Sequence, residues 1–314
     1  MRNAIFTITA AIALWVGGQT GRLAAKNQLP GRLYVVTSTT DLAALTQEVG
    51  GDRVTVASLA EGYQDPHFVE PKPSFVLKLR RADLFIVIGL QLESFWLARF
   101  RQPSLLTSSG NARIQPGAPG YFDVSRRAAI LDIPDTVSRA GGIHLLGNPH
   151  YWLDPENGRR IAQAITRKLS ELRPNDGAYF KQRFEAFGER LTEKERAWQE
   201  EIRPYRGQKV ISYHRTWSNF LQRFELISAG EIEPLPGITP NAGHTMDLIK
   251  VMKDANVKVI IVEPYFERTT PDRIARSTGA KILIMPASVG GESRVTDYLK
   301  LFDYNIDLLI NAFQ

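Results

Sequence analysis

The 314 residues include no cysteine. This excludes disulfides, thiolate-ligated zinc, iron–sulfur clusters and thiol nucleophiles, together with a lipid anchor on an N-terminal thiol. Histidine is scarce: His67, His144, His150, His214 and His244 are the five in the chain. Charge of one sign does not accumulate. The 39 Lys and Arg against 33 Asp and Glu leave a formal +6, and no basic cluster exceeds local pairs such as Arg80-Arg81, so nucleic acid is not an expected partner. No apolar run reaches the ~20 residues of a membrane helix. The stretch Ala4–Val16 is uncharged over 13 residues and follows Arg2, the pattern of an export signal within residues 1–25. Cleavage after Gly18 (V-G-G) and after Ala25 (L-A-A) both fit. The expected mature protein is soluble, exported to the periplasm and monomeric.

What is present is globular. Hydrophobic residues make up 43% and charged residues 23%, which excludes wholesale disorder. The length suits two domains of about 100–200 residues. Strand-like and helix-like segments alternate. LYVVTS (33–38), VTVAS (54–58) and LFIVI (84–88) read as strands, with helices over 40–50 and 74–81 between them. This order predicts parallel sheets with right-handed crossovers. Residues 103–143 read as loops with short elements near Ala128–Leu131. Asp154-Pro155-Glu156 is a helix start, with an Asp cap and Pro in the first turn. From Asn175 to Arg203, aromatic and aliphatic residues recur at three- and four-residue steps, a helix of about 28 residues and ~42 Å. That is too long for one small layer, so it is read as a connector between lobes. The second half repeats the plan, with strands KVISY (209–213), LISA (226–229), KVIIV (258–262) and KILIM (281–285). The expected fold is α/β: two similar lobes of parallel sheet flanked by helices, joined by one long backbone helix. Residues 30–174, 175–204 and 205–314 form the first lobe, the connector and the second lobe.

Three histidines fall where chemistry gathers in such folds. His67 sits in the loop after strand 54–58, His150 just before the helix at Asp154, and His214 at the carboxyl end of strand 209–213. Ligands of open α/β sheets bind outside the carboxyl ends of strands, and neutral imidazole is the commonest metal ligand. Three such residues point to one metal site. His144, in a Gly-rich loop, and His244, at a helix start, read as surface residues. Asp154 reads as a cap, and Tyr151, Trp152, Trp96 and Trp217 as walls of the core or cleft. Glu263 ends a buried strand facing the expected cleft. It is a candidate fourth ligand, a candidate orienter of a ligand imidazole, and equally a partner for Arg215.

Several motifs carry a resemblance. Val35-Val36-Thr37-Ser38, Gly50-Gly51-Asp52-Arg53-Val54, Gln64-Asp65-Pro66-His67, Glu70-Pro71-Lys72-Pro73-Ser74 and Ala82-Asp83-Leu84 resemble the metal-binding solute receptors of bacterial ABC importers, the zinc- and manganese-uptake class. His150-Tyr151-Trp152-Leu153-Asp154-Pro155-Glu156-Asn157 is similar to that family's second signature, and Ser212-Tyr213-His214 and Val262-Glu263-Pro264 to its third and fourth. The resemblance runs from about Leu33 to the C-terminus. It implies two α/β lobes, a backbone helix and a metal at the lobe interface, with His67 and His150 as ligands from the first lobe and His214 from the second. Two departures stand out. Met285–Val289 holds no carboxylate where many members have an acidic ligand, and residues 103–143 hold none of the histidines of a metal-scavenging loop.

The expected function follows: a receptor that captures a divalent transition metal, zinc before manganese, and delivers it to an ABC permease in the inner membrane. Three neutral imidazoles suit Zn²⁺, whereas Mn²⁺ prefers more oxygen. No catalysis is expected. A zinc hydrolase is the rival reading, since three His plus water also describes catalytic zinc, but there is no His-Glu-x-x-His run or nucleophile elbow. An adhesin-like role is the other.

Overall fold

The computed structural model describes residues 31–97, 104–134, 144–233 and 238–314. The proposed export signal lies outside these residues. Arg32–Gln314 packs as one compact unit.

The first half runs β1 (Leu33–Thr37), α1 (Thr40–Gly50), β2 (Val54–Ser58), α2 (Pro73–Arg81), β3 (Leu84–Val87), α3 (Leu105–Ser109) and β4 (Tyr121–Asp123). Then come α4 (Pro155–Leu172) and α5 (Gly177–Ile202). The second half runs β5 (Lys209–Ser212), α6 (Ser218–Arg223), β6 (Ile227–Glu231), α7 (Ala242–Asp254), β7 (Val259–Val262), α8 (Thr269–Thr278), β8 (Lys281–Ile284) and α9 (Tyr298–Phe313). The strands form two four-stranded sheets of order β2-β1-β3-β4 and β6-β5-β7-β8, parallel throughout. All chain crossovers therefore leave the same kind of edge, the strand carboxyl ends, free for a ligand.

Side-chain alternation explains the layering. Val35, Leu84 and Ile86 of the first sheet face a core that also takes Val210, Val259 and Ile261 of the second. Their neighbours Val36, Phe85 and Val87 face the other way onto Phe75 and Leu79 of α2. In the second sheet Ile211, Ile260 and Val262 do the same against Leu248 and Met252 of α7. A period of two thus gives each sheet two buried faces, and one of them is shared.

α5 runs through the shared layer. Its 26 residues are about 39 Å long at 1.5 Å per residue. Arg183 Nε donates to Glu48 O of α1 at 2.7 Å, and Trp198 Nε1 donates to Asp303 Oδ1 of α9 at 2.7 Å. The helix is therefore fastened to both halves, as its length requires.

Within the range 103–143 read as loops, the described residues 104–134 hold regular elements, and the remainder lies outside the described residues. α3, capped by Ser104 Oγ, which accepts from Thr107 N at 3.2 Å, is followed by β4, which pairs with β3. The short element expected near Ala128–Leu131 is a 3-10 turn at Val124–Arg127, just ahead of it. A three-residue edge strand is too short to show a period.

Candidate metal centre

Two copies of one local device present the first pair of imidazoles. In Asp65-Pro66-His67, Asp65 Oδ1 accepts from His67 N at 2.9 Å and from His67 Nδ1 at 2.7 Å. In Asn148-Pro149-His150, Asn148 Oδ1 accepts from His150 N at 2.9 Å and from His150 Nδ1 at 2.8 Å. Each is an Asx turn, stiffened by a proline with fixed φ at its centre. A carboxylate or amide oxygen only accepts, so both rings hold their proton on Nδ1 and turn Nε2 outward. His214 follows the same rule from the second half. Its Nδ1 donates to Glu233 O at 3.3 Å, with the Glu233 carboxylate 4.0 Å from that nitrogen. β5 ends at Ser212, which sets His214 at the sheet's carboxyl edge.

The rings converge. His67 lies 5.0 Å from His150 and 5.4 Å from His214 between centroids, and His150 lies 5.6 Å from His214. The structure adds a fourth. His144 stands 5.1 Å from His67 and 6.1 Å from His150, and its Nε2 is 3.0 Å from His67 Nε2. Ring nitrogens of His67, His144 and His214 lie within 4.8 Å of one another. The surface reading of His144 is thus corrected. The residue belongs to a loop with no periodicity, and its one sequence signal is its place six residues ahead of His150. His244 stays apart, with Nε2 2.9 Å from Glu231 O.

Burial sets the charge state. His67, His150 and His214 are no more than 3% exposed. Loss of solvent, with the neighbouring imidazoles adding to it, lowers His144 to about 4 and His214 to about 3, and pushes His150 well below the ordinary imidazole value. Burial pushes the Asp65 carboxyl up, but its bonds to His67 outweigh that and hold it below its usual range. His144, His150 and His214 are thereby held as neutral nitrogen donors. His150 Nε2 is buried with no hydrogen-bond partner among the described residues, a costly state for a polar atom and one that a cation relieves. Zinc–nitrogen bonds of about 2.0–2.1 Å at tetrahedral angles place donor atoms about 3.3 Å apart, close to the His67–His144 spacing.

Glu263 is fully buried, and burial raises its carboxyl to about 8. Its Oε1 accepts from Trp217 Nε1 at 3.1 Å. The group of nitrogens within 4.8 Å of one another holds neither Glu263 nor His150, but the His150 ring lies among the other imidazoles, whereas Glu263 is taken up by Trp217. Arg215 pairs with Glu231 instead, at 3.5 Å. The orienting oxygens are Asp65, Asn148 and the Glu233 carbonyl. Asp154 caps α4, its Oδ1 accepting from Glu156 N at 3.0 Å, and also binds Arg223 of α6 through both oxygens, at 2.6 and 3.0 Å. The indoles wall the site. Trp96 Nε1 donates to Pro66 O at 2.9 Å, and Trp152 Nε1 to Ala287 O at 2.8 Å.

A buried cluster of imidazoles between two parallel sheets, at the carboxyl ends of their strands, defines a metal-binding receptor of two α/β halves. Residues 35–312 match the family described as zinc-uptake complex component A, periplasmic, and the chain belongs to that family. Its members are substrate-binding receptors of ABC importers, not enzymes. The metal ABC transporter substrate-binding lipoprotein SloC of Streptococcus mutans is 25% identical over 92% of both chains. The manganese ABC transporter substrate-binding lipoprotein PsaA of Streptococcus mitis is 23% identical over 96% of both. Among solved structures, ZnuA superposes with a TM-score of 0.73 at 23% identity, covering 90% of this chain and all of that one. The laminin-binding adhesin Lmb of Streptococcus agalactiae gives 0.74 at 24%, with 90% and 100% covered. These structural likenesses speak for the fold. The protein is a metal-binding component of an ABC importer, with a permease and a metal ion as its partners.

Proposed function

We propose that the protein captures Zn²⁺ in the periplasm, to which an N-terminal signal directs it, and hands it to the permease, with His67, His144, His150 and His214 as ligands. The observation that carries this reading is the donor set. Among the described residues the atoms that converge within 4.8 Å are ring nitrogens of His67, His144 and His214. The buried, unpartnered His150 Nε2 belongs to a ring 5.0 Å from that of His67, and Asp65 and Glu233 meet the rings at their Nδ1 side. Four neutral imidazoles suit tetrahedral zinc. Manganese favours carboxylate, carbonyl and water oxygens, and no carboxylate joins the converging group among the described residues. Glu263 serves to hold Trp217 beside the site rather than to bind metal.

The test is a competition titration on metal-free protein. Zinc binds one per chain, and a hundredfold excess of Mn²⁺ leaves it in place. Displacement by equimolar Mn²⁺ would refute the assignment.

A further inference from the structure

Asn148 does more than turn His150. Its Oδ1 is fully used by His150 N and Nδ1. Its Nδ2 points the other way, into the second half of the chain. It donates to Arg215 O at 2.8 Å and to Asp132 Oδ2 at 2.9 Å, with Ser218 Oγ at 3.3 Å. Arg215 is the residue after His214. The amide orientation follows from its partners, since a flipped group would set donor against donor at His150 and oxygen against oxygen at Arg215 and Asp132. The side chain is 4% exposed, so each of these bonds is made without competing water.

We propose that Asn148 is a positioning residue that ties the loop of His150 to the loop of His214, fixing the spacing of imidazoles from the two halves. The comparison with Asp65 shows why an amide stands here. Both residues occupy the first position of an Asx-Pro-His turn, and both accept through Oδ1 from the following histidine. Among the described residues the hydrogen bonds of Asp65 go to His67 and none crosses to the second half. A carboxylate at 148 would keep the turn but press its second oxygen against the Arg215 carbonyl and the Asp132 carboxylate. The amide is the one group of that shape that accepts on one side and donates on the other. Asp132 itself takes the left-handed conformation, φ 53°, which few side chains other than Asn and Asp adopt readily, and Leu131 O accepts from Asn148 N at 2.8 Å. The 131–132 segment therefore backs the amide from both its backbone and its side chain.

The inference rests on the zinc reading, and its test separates the two. In metal-free wild-type protein, the Asn148 side-chain amide protons exchange slowly with solvent, and nitrogen-15 shifts of the His150 ring report the Nδ1–H form. Neither measurement requires metal. In Asn148→Asp the His150 ring signature persists, while zinc leaves at least tenfold faster when a chelator is added. Asn148→Ala loses both the signature and the slow release. Fast exchange of the wild-type amide overturns the tie even if no variant folds. A wild-type release rate in Asn148→Asp overturns it equally, and so does loss of the His150 signature in that variant. If wild-type protein fails to bind zinc, the zinc reading falls, and the amide exchange and ring signature still decide the tie.

Discussion

Whether an imidazole can serve as a ligand at a given pH depends on how hard a proton competes for it. A histidine with the ordinary pKa of about 6.5 is roughly nine-tenths protonated at pH 5.5, which costs about tenfold in metal affinity for each such ligand. Three ordinary ligands would lose about a thousandfold between pH 7.5 and 5.5. Here burial has already lowered His144 to about 4 and His214 to about 3, with His150 lowered too. The expected loss over that interval is well under a hundredfold, measured by chelator-buffered titration at both pH values. The same shifts act on folding with the opposite reference. Below about pH 6.5 the unfolded chain takes up these protons and the native site does not. Stability of the metal-free protein is therefore full above 6.5 and falls as pH drops toward the native values near 3–4. His144 makes the sharpest residue-level test. Replacing it by Ala removes a donor 3.0 Å from His67 Nε2 and leaves the three other rings with their own Nδ1 anchors. Zinc affinity is expected to fall at least tenfold, by isothermal titration. An unchanged constant would return His144 to the role of a bystander.

Elements put those residues in reach, and most of the elements are legible. Caps and breakers mark them. Thr39 Oγ1 accepts from Leu42 N at the head of α1, Asp154 does the same for α4, and Gly279 in the left-handed region ends α8. Buried strands such as VIIV (259–262) announce themselves by β-branched runs. β4 does not, because three residues held between β3 and a turn leave no pattern. Position singles out His67 in a loop after a strand, His214 at a strand end and His150 before a helix start, and the structure brings their rings together. His144 is not so marked, because what brings it to the cluster is the tertiary path of a loop, and a loop path has no period. The twin Asx-Pro-His turns lie in plain view in the sequence, but their meaning needs the hydrogen bonds. The loop between β2 and α2 also meets the loop after β8. A Cβ on Gly62 would clash with the Val289 carbonyl, and Val289 N donates to the buried Asp41 Oδ1 of α1 at 2.9 Å. Gly62→Ala is expected to force these loops apart and destabilise the fold by about 1–3 kcal/mol, the range for overpacking a close contact. Urea denaturation of metal-free protein checks it, and a change below about 0.5 kcal/mol, the ordinary surface value, would show that the contact yields freely.

At the scale of the molecule, the question is how a receptor with a shared core opens and closes. The two sheets face one continuous apolar layer, and α5 crosses it bonded to α1 and α9. Further ties cross between the halves at Asp41–Val289, Trp152–Ala287 and Asp154–Arg223. A wide hinge motion would break these together and expose the layer, so binding must work through loops around a nearly rigid frame. Metal then acts mainly as a ligand that favours the native state. At free zinc a thousandfold above Kd, linkage adds about 4 kcal/mol. For a chain of this size each kcal/mol raises Tm by about 1.5–2 °C, so loading is expected to raise the melting temperature by about 6–8 °C. Small-angle scattering curves of the metal-free and loaded forms should superpose at the same time. The pair of measurements discriminates where either alone does not. A large rise in Tm with an unchanged radius of gyration marks a preformed site on a rigid frame. A large rise with a clear contraction would mean that the shared core opens in the empty receptor, and that α5 bends or its bonds to α1 and α9 break.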